Sequence, residues 1–495
     1  MKAAANVMGN VRIVAKHSAI YSTAEILKKG IGFVMIPLYT HYLTTADYGV
    51  IEVLNLILEV LGMLVGAHIA SAQTRYYHQY SVHEEKREVF TTALLGVSAS
   101  SIISVIVLWV SSSWLASTAL GSQSYAPHCR IVILCIGIQS VFLIAENDLI
   151  IRKKSLFYSG LVIFLMVLSL SLNILFLSVY HLGVWAILWS ILITKAVNLT
   201  VVPICLHGDR IQFSWNKLWP MVRYAAPLLP ASLAMFFLHF GDRFFLQRFC
   251  SLSEVGIYSL GYKFGMMISV LITSPFQRVW NTHCFEIERQ PGAKLVYARI
   301  FTYLAFLLAF AGLAICAFIR DVIRIMAPPE YSAAASIVPM IVMGYTLLGL
   351  NNAASLGIMI RNKTKYIALI QLPVVALNAM LNYLLIPSYS IWGAALATLI
   401  SFGVMFFVTI TISQNIYPIA YEYRRLALLI GSTFVLAMVA RLDSGSGLWR
   451  LLFHTATVIA LPLFLYAFRF FTKDELDSAR EYLRRIGLRF QKIAV

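Results

Sequence analysis

The chain carries a weak copy of itself, and this constrains its fold more than any other feature. Asp47-Tyr48-Gly49-Val50 recurs as Glu254-Val255-Gly256-Ile257, 207 residues later (254 − 47 = 207). Val184-Trp185 recurs as Ile391-Trp392 at the same spacing. Between these, Arg152-Lys153-Lys154-Ser155 matches Arg361-Asn362-Lys363-Thr364, and Leu172-Asn173 matches Leu381-Asn382, both at 209. Each copy is almost wholly apolar. Two similar membrane bundles in one chain are the layout of a transporter with its substrate path between the halves.

Composition supports a membrane setting. Hydrophobic residues make up 60% of the 495 and charged residues only 12%, against about 25% charged in soluble domains. The net charge of +17 is assigned to loops on one side of a membrane rather than to nucleic-acid binding. The polar, basic stretch from Met1 to Lys16 does not read as a cleavable signal, because the first apolar stretch leads straight into further ones. Six cysteines (Cys129, Cys135, Cys205, Cys250, Cys284, Cys316) show no CxxC and no His/Cys cluster. Buried free thiols are expected rather than disulfides or metal ligands.

Apolar stretches long enough to cross about 30 Å of hydrocarbon fall at 18–42, 47–74, 89–113, 129–151, 156–180, 183–206, 220–246, 255–277, 300–325, 335–360, 366–387, 391–413, 426–441 and 449–471. The expected fold is therefore all-α and integral to the membrane, with about fourteen transmembrane helices. Helices 1–6 (1–206) form an N-lobe and helices 7–12 (214–415) a C-lobe. Because six is even, the lobes share one orientation and are expected to be related by a pseudo-twofold along the membrane normal. Helices 13 and 14 (416–471) lie outside the repeat. The tail, 472–495, reads as a basic amphipathic helix on an anionic leaflet, opened by a capping box between Thr472 and Glu475.

The loops orient the helices. With the N-terminus cytoplasmic, 28 of the 39 Lys and Arg fall on the cytoplasmic side, seven on the other and four inside spans. This bias places both termini in the cytoplasm.

Charges at membrane depth need a partner or water. Helix 1 carries Glu25, Lys28 and Lys29 on one face. Glu25 neutralises one lysine, and the second is left for a cationic cavity wall; a buried ion pair is the structural alternative. Helix 2 carries Glu52, Asn55, Glu59, Gly62 and Gly66 along one seam. The glycines suit close helix packing, while Glu52 and Glu59 either face Lys28 or Lys29 or bind a coupling cation. Helix 7 ends in His239, Asp242 and Arg243, where a local ion pair is the simplest reading. Lys195 and Lys263 are lone cations well inside their spans. His68 reads as a satisfied core histidine. Arg75-Tyr76-Tyr77 and Arg278-Val279-Trp280 close helices 2 and 8; they read either as positive-inside anchors or as bidentate phosphate clamps. No nucleotide-binding loop, metal-ligand pair or nucleophile motif is visible, so no catalytic residue is assigned, and an enzyme is not expected.

The run Lys29-Gly30-Ile31-Gly32-Phe33 … Ile36-Pro37-Leu38 … Leu43-Thr44-Thr45-Ala46-Asp47-Tyr48-Gly49 resembles the opening of bacterial polysaccharide-biosynthesis membrane proteins. Arg75-Tyr76-Tyr77 and Ile386-Pro387 … Gly393-Ala394-Ala395-Leu396-Ala397-Thr398 carry the same likeness. These are the Wzx-type flippases of the multidrug/oligosaccharidyl-lipid/polysaccharide exporter superfamily. The resemblance implies alternating access in the bacterial inner membrane. It also implies a substrate of undecaprenyl-pyrophosphate-linked oligosaccharide, moved outward to build O-antigen, exopolysaccharide or capsule. Lys28, Lys29, Lys195, Lys263, Arg75 and Arg278 are then candidates to meet the pyrophosphate. Glu25, Glu52, Glu59 and Asp242 are candidates for ion coupling or salt bridges. The expected partners are the lipid-linked oligosaccharide, membrane lipid and polymerase or chain-length proteins, with no nucleic acid, for a chain expected to work as a monomer. No cofactor is implied, and H⁺ or Na⁺ coupling is left open. A lipid II flippase and a cation-coupled multidrug exporter are the nearest alternatives. A membrane glycosyltransferase or polymerase fits less well, because it needs a large exoplasmic loop.

Overall fold

The computed structural model describes residues 30, 32–207, 210–442, 447–473 and 475–477. Among these, eleven helical stretches are long and apolar enough to cross a membrane. The 52-residue stretch Lys365–Ile416 is two helices, because Ser390 breaks it with φ 47° and ψ −128°. Tyr423–Val439 is a helix of 17 residues. A seven-residue helix, Ile36–Tyr42, lies where the first expected span ends, and most of that span lies outside the described residues. We label these α1 (Ile36–Tyr42), α2 (Thr45–Tyr77), α3 (His83–Val110), α4 (Gln123–Ile151), α5 (Ser155–Val179), α6 (Val184–Leu206), α7 (Trp215–Phe240), α8 (Leu252–Asn281), α9 (Ala293–Met326), α10 (Ala334–Ile360), α11 (365–389), α12 (391–416), α13 (Tyr423–Val439) and α14 (Leu448–Ala467). All-helical construction follows from the solvent, since each backbone N–H and C=O in hydrocarbon needs a partner within its own segment.

The sequence repeat is a repeat of backbone devices. Thr44 caps α2: its hydroxyl accepts from the Asp47 N–H (3.1 Å), and the Asp47 carboxylate accepts from the Thr44 N–H (3.2 Å). At the start of α8, 207 residues on, the Ser251 hydroxyl accepts from the Glu254 N–H (3.2 Å) and donates to the Glu254 carboxylate (3.3 Å). An acid three residues past a hydroxylated cap satisfies helix-start donors that nothing else reaches. Further in, each helix is interrupted by one π-helical turn, Met63–Ala67 in α2 and Ser269–Thr273 in α8, offset by 206. The ends of α4 and α10 are also copies. Lys153 (φ 57°) and Asn362 (φ 53°) are both left-handed. The next N–H of each turn reaches back to Leu149 and Ile358 respectively, at 2.9 Å, which closes the helix end as a left-handed C-cap does. His181 and Ser390, again 209 apart, share the left-handed region at φ 50° and 47°.

The chain divides into two compact units. The first comprises Met1–Leu260, Ile323–Ala334 and Gln371–Ala397; the second comprises Gly261–Val322, Ala335–Ile370 and Thr398–Val495. Neither follows the repeat boundary. In the first unit, a core of Phe90, Ala93, Leu94, Phe142, Ala145 and Leu149 joins α3 to α4. At one end of this core, Asp148 is fully buried between two arginines. Arg87 Nη1 lies 3.0 Å from Oδ1 and Arg152 Nε 2.8 Å from Oδ2, while Arg87 Nη2 donates to the Cys205 carbonyl at 2.8 Å. In the second unit, Leu313, Leu429, Leu436, Leu461 and Leu465 pack α13 and α14 on α9. Arg450 of α14 pairs with Asp321 of α9.

The tail begins as its sequence indicates. The Glu475 carboxylate accepts from the Thr472 N–H at 2.8 Å, and the Glu475 N–H donates to the Thr472 hydroxyl at 3.4 Å. Arg425 at the start of α13 clamps the same carboxylate at 3.1 and 3.2 Å and stacks over Phe470. The amphipathic helix expected beyond lies outside the described residues.

All six cysteines are free, and Cys129, Cys135, Cys205 and Cys284 are buried. The glycine seam of α2 divides. A Cβ on Gly66 would touch Val97, whereas one on Gly62 would meet nothing within 4 Å, so only Gly66 is a packing glycine. Gly66 also sits in the π turn, and the Val65 carbonyl beside it accepts from Ser100 at 3.1 Å. A polar side chain on the neighbouring helix thus satisfies the group that the irregular turn leaves over.

Candidate functional site

A partly polar hollow lies wholly in the first unit, among α1, α4, α5 and α6. It is a cavity of about 410 Å³, within the range of small-molecule sites. Three helices each present a stripe with 3–4 spacing to it: Gln139, Leu143 and Glu146 from α4; Tyr158, Leu165, Ser169 and Asn173 from α5; Ile191, Thr194, Lys195 and Asn198 from α6. That spacing puts each set on one helical face. Lys195, expected from sequence as a lone deep cation, shares the cavity with Glu146.

The amides of this wall are incompletely bonded. Asn173 Nδ2 donates to the Ser169 carbonyl at 2.7 Å. The amide oxygens of Gln139, Asn173 and Asn198 are buried and have no hydrogen-bond partner. Leaving such a group unmade costs about 1–3 kcal/mol, and all three residues line this one cavity. A second, more apolar cavity of about 340 Å³ lies at the π turn of α2, lined by Gly66, His68, Gly96, Val97, Leu218 and Ala225. His68 Nε2 is buried there without a partner, so it is not the satisfied core histidine its sequence context suggests.

The other candidates are distributed as follows. Glu25, Lys28 and Lys29 lie outside the described residues. Glu52 is buried at 9% exposure, whereas Glu59 on the same helix is exposed. Asp242 and Arg243 are buried and paired at 2.8 Å, and the Tyr258 hydroxyl donates to Asp242. Lys263 is half-buried in the second unit, next to Tyr262, whose hydroxyl meets that of Tyr345 at 2.8 Å. Arg75 is exposed and lies over the Tyr224 ring at 4.6 Å. Arg278 is also exposed. The π-turn offset of 206 matches Arg278 to Ala72 (278 − 206 = 72), one helical turn short of Arg75.

Sequence reasoning missed Glu146 and the three amides. The signal was present in Gln139 and Glu146, two polar residues seven apart in one span, which share a face. It also missed Asp148, whose partners Arg87 and Arg152 read as loop charges.

Comparison with known proteins places this architecture. A family model described as "Polysaccharide biosynthesis protein" matches residues 14–281, 268 of the 495. The succinoglycan biosynthesis transport protein ExoT of Rhizobium meliloti (strain 1021) is 23% identical over 281 residues, covering 56% of this chain and 55% of that protein. The chain therefore matches about half the length of this curated relative. Among solved structures, the lipid II flippase MurJ in an inward closed conformation superposes with a TM-score of 0.75 at 13% identity, over 91% of this chain and 98% of that one. An inward-facing multidrug resistance MATE family transporter of the MOP superfamily superposes with a TM-score of 0.58 at 15% identity, over 78% and 94%. At these identities the superpositions speak to fold alone. The fold is similar to those of MurJ and the MATE transporter, and the chain belongs to the polysaccharide biosynthesis protein family.

Proposed function

We propose that the protein is a flippase that carries polyprenyl-pyrophosphate-linked oligosaccharide from the cytoplasmic to the periplasmic leaflet of the bacterial inner membrane, for surface polysaccharide assembly. Family membership on a chain built of membrane-spanning helices is the observation that carries this reading. A sugar headgroup entering hydrocarbon loses several kcal/mol per unpaired polar group, so unassisted flipping is negligible. A hydrated, cationic path removes that penalty while the lipid tail stays in the bilayer. An outward-moving anion also runs down an inside-negative potential, worth about 2.3 kcal/mol per charge per 100 mV.

In this proposal Lys28, Lys29 and Lys263 meet the pyrophosphate at depth, and Arg75 and Arg278 receive it at the cytoplasmic mouth. Lys195 stands apart from that set because Glu146 shares its cavity. The repeat copies 1–206 and 214–415 act as lobes that alternate the access, residues 416–471 supply two further helices, and 472–495 rests on the anionic inner leaflet. The loop-charge bias puts both termini in the cytoplasm. Glu52, a buried carboxylate in an apolar helix, favours a second reading as a cation-coupled exporter.

The test is deletion followed by leaflet analysis. The flippase reading expects lipid-linked oligosaccharide to accumulate on the cytoplasmic leaflet. Unchanged polysaccharide with altered drug resistance would favour the second reading.

A further inference from the structure

We infer that the cavity among α4, α5 and α6 is a carbohydrate subsite, which takes one uncharged hydroxylated sugar ring of the lipid-linked substrate; this rests on the flippase reading above. The wall chemistry selects the ligand by exclusion. A phosphate would share the cavity with the Glu146 carboxylate. A metal cation would face Lys195. Lysine and glutamate together leave the wall near neutrality, which suits a ligand without charge.

What the wall asks for is hydrogen-bond donors, and at several points. Gln139, Asn173 and Asn198 each hold a buried amide oxygen without a partner. A sugar hydroxyl donates and accepts at once, so it satisfies an amide oxygen while taking a hydrogen bond from a neighbouring NH₂ or ammonium group. Alongside the amides, Leu161, Leu165 and Ile191 present an apolar surface. Pyranose rings carry an apolar C–H face beside their hydroxyl edge, and the two kinds of wall match those two sides. α4, α5 and α6 are all long and apolar enough to cross a membrane, and a sugar hydroxyl buried against them needs a partner from the protein.

The experiment uses the purified full-length protein and two probes, undecaprenyl pyrophosphate and undecaprenyl-pyrophosphate-linked N-acetylglucosamine, with affinities measured by native mass spectrometry. The sugar is expected to tighten binding about tenfold, as one or two net hydrogen bonds would. In Asn198→Leu that increment is expected to vanish while affinity for undecaprenyl pyrophosphate holds. Asn173→Leu is expected to behave alike, with melting temperature as its folding control because Asn173 also bonds Ser169. Equal affinity for the two probes in the wild type, or an undiminished increment in Asn198→Leu, would overturn the subsite and leave the flippase reading intact. Binding of neither probe would overturn both.

Discussion

Gly49 and Gly256 meet back to back where the two copies of the repeat touch inside the first unit. A Cβ on Gly49 would overlap the Leu252 carbonyl, and a Cβ on Gly256 would overlap the Thr45 carbonyl. The contact is reciprocal, because 252 − 45 and 256 − 49 are both 207. Thr45 and Ser253 hydrogen-bond beside it, Oγ to Oγ at 2.6 Å. An isologous contact of this kind is what a twofold-related pair of helices makes at its axis, and glycine is the residue that lets backbones approach so closely.

Adding a methyl group at this crossing is therefore expected to force α2 and α8 apart. Gly49→Ala and Gly256→Ala should each cost about 1–3 kcal/mol, read as a lower melting temperature in detergent, and should reduce polysaccharide export at normal protein level. Gly62→Ala is the control: a Cβ there would have no neighbour within 4 Å, so stability and export should hold.

Asp148 is expected to be the most sensitive charged position for stability. It is fully buried between Arg87 and Arg152, and its removal leaves two guanidinium groups without their counter-charge. Asp148→Asn should lose about 3–5 kcal/mol in a denaturation measurement, whereas Glu59→Gln on an exposed site should change little.

The root of the tail should be acid-sensitive. Burial pushes the Glu475 carboxyl up, but hydrogen bonds from the Thr472 N–H, Tyr303 and Arg425 outweigh it and hold the pKa below the usual carboxylate value. A carboxylate with a depressed folded pKa contributes stability above its unfolded pKa and loses it as pH falls through the folded one. Protection of the 472–477 amides from hydrogen exchange should thus be constant from neutral pH to about 5 and fall at lower pH. Glu475→Gln should abolish that pH dependence.

The deep lysines carry the proposed pyrophosphate path. Lys28→Ala with Lys29→Ala, and separately Lys263→Ala, should lower export while protein level stays normal. Full export in the double variant would remove helix 1 from the path.

The sequence showed the repeat because its devices use residues that few others replace. A hydroxylated cap with an acid three residues later, a glycine at a backbone crossing and a left-handed turn at Lys153 and Asn362 each leave a local mark. Spans were legible because hydrocarbon thickness sets helix length, and eleven stretches among the described residues meet that length. The cavity was less so. Glu146 and Lys195 lie on different helices 49 residues apart (195 − 146 = 49), and no local pattern states that two faces meet. The π turn at Met63–Ala67 was also hidden, because Gly66 reads equally well as a packing glycine inside a regular helix.

The most direct test of the account is a flipping assay in vesicles, using purified protein and labelled undecaprenyl-pyrophosphate-linked oligosaccharide. Translocation should depend on the protein, stop when Thr45→Cys and Ser253→Cys are joined by oxidation, and return on reduction. Vesicles that move no lipid, or a cross-linked protein that flips as fast as the reduced one, would contradict it.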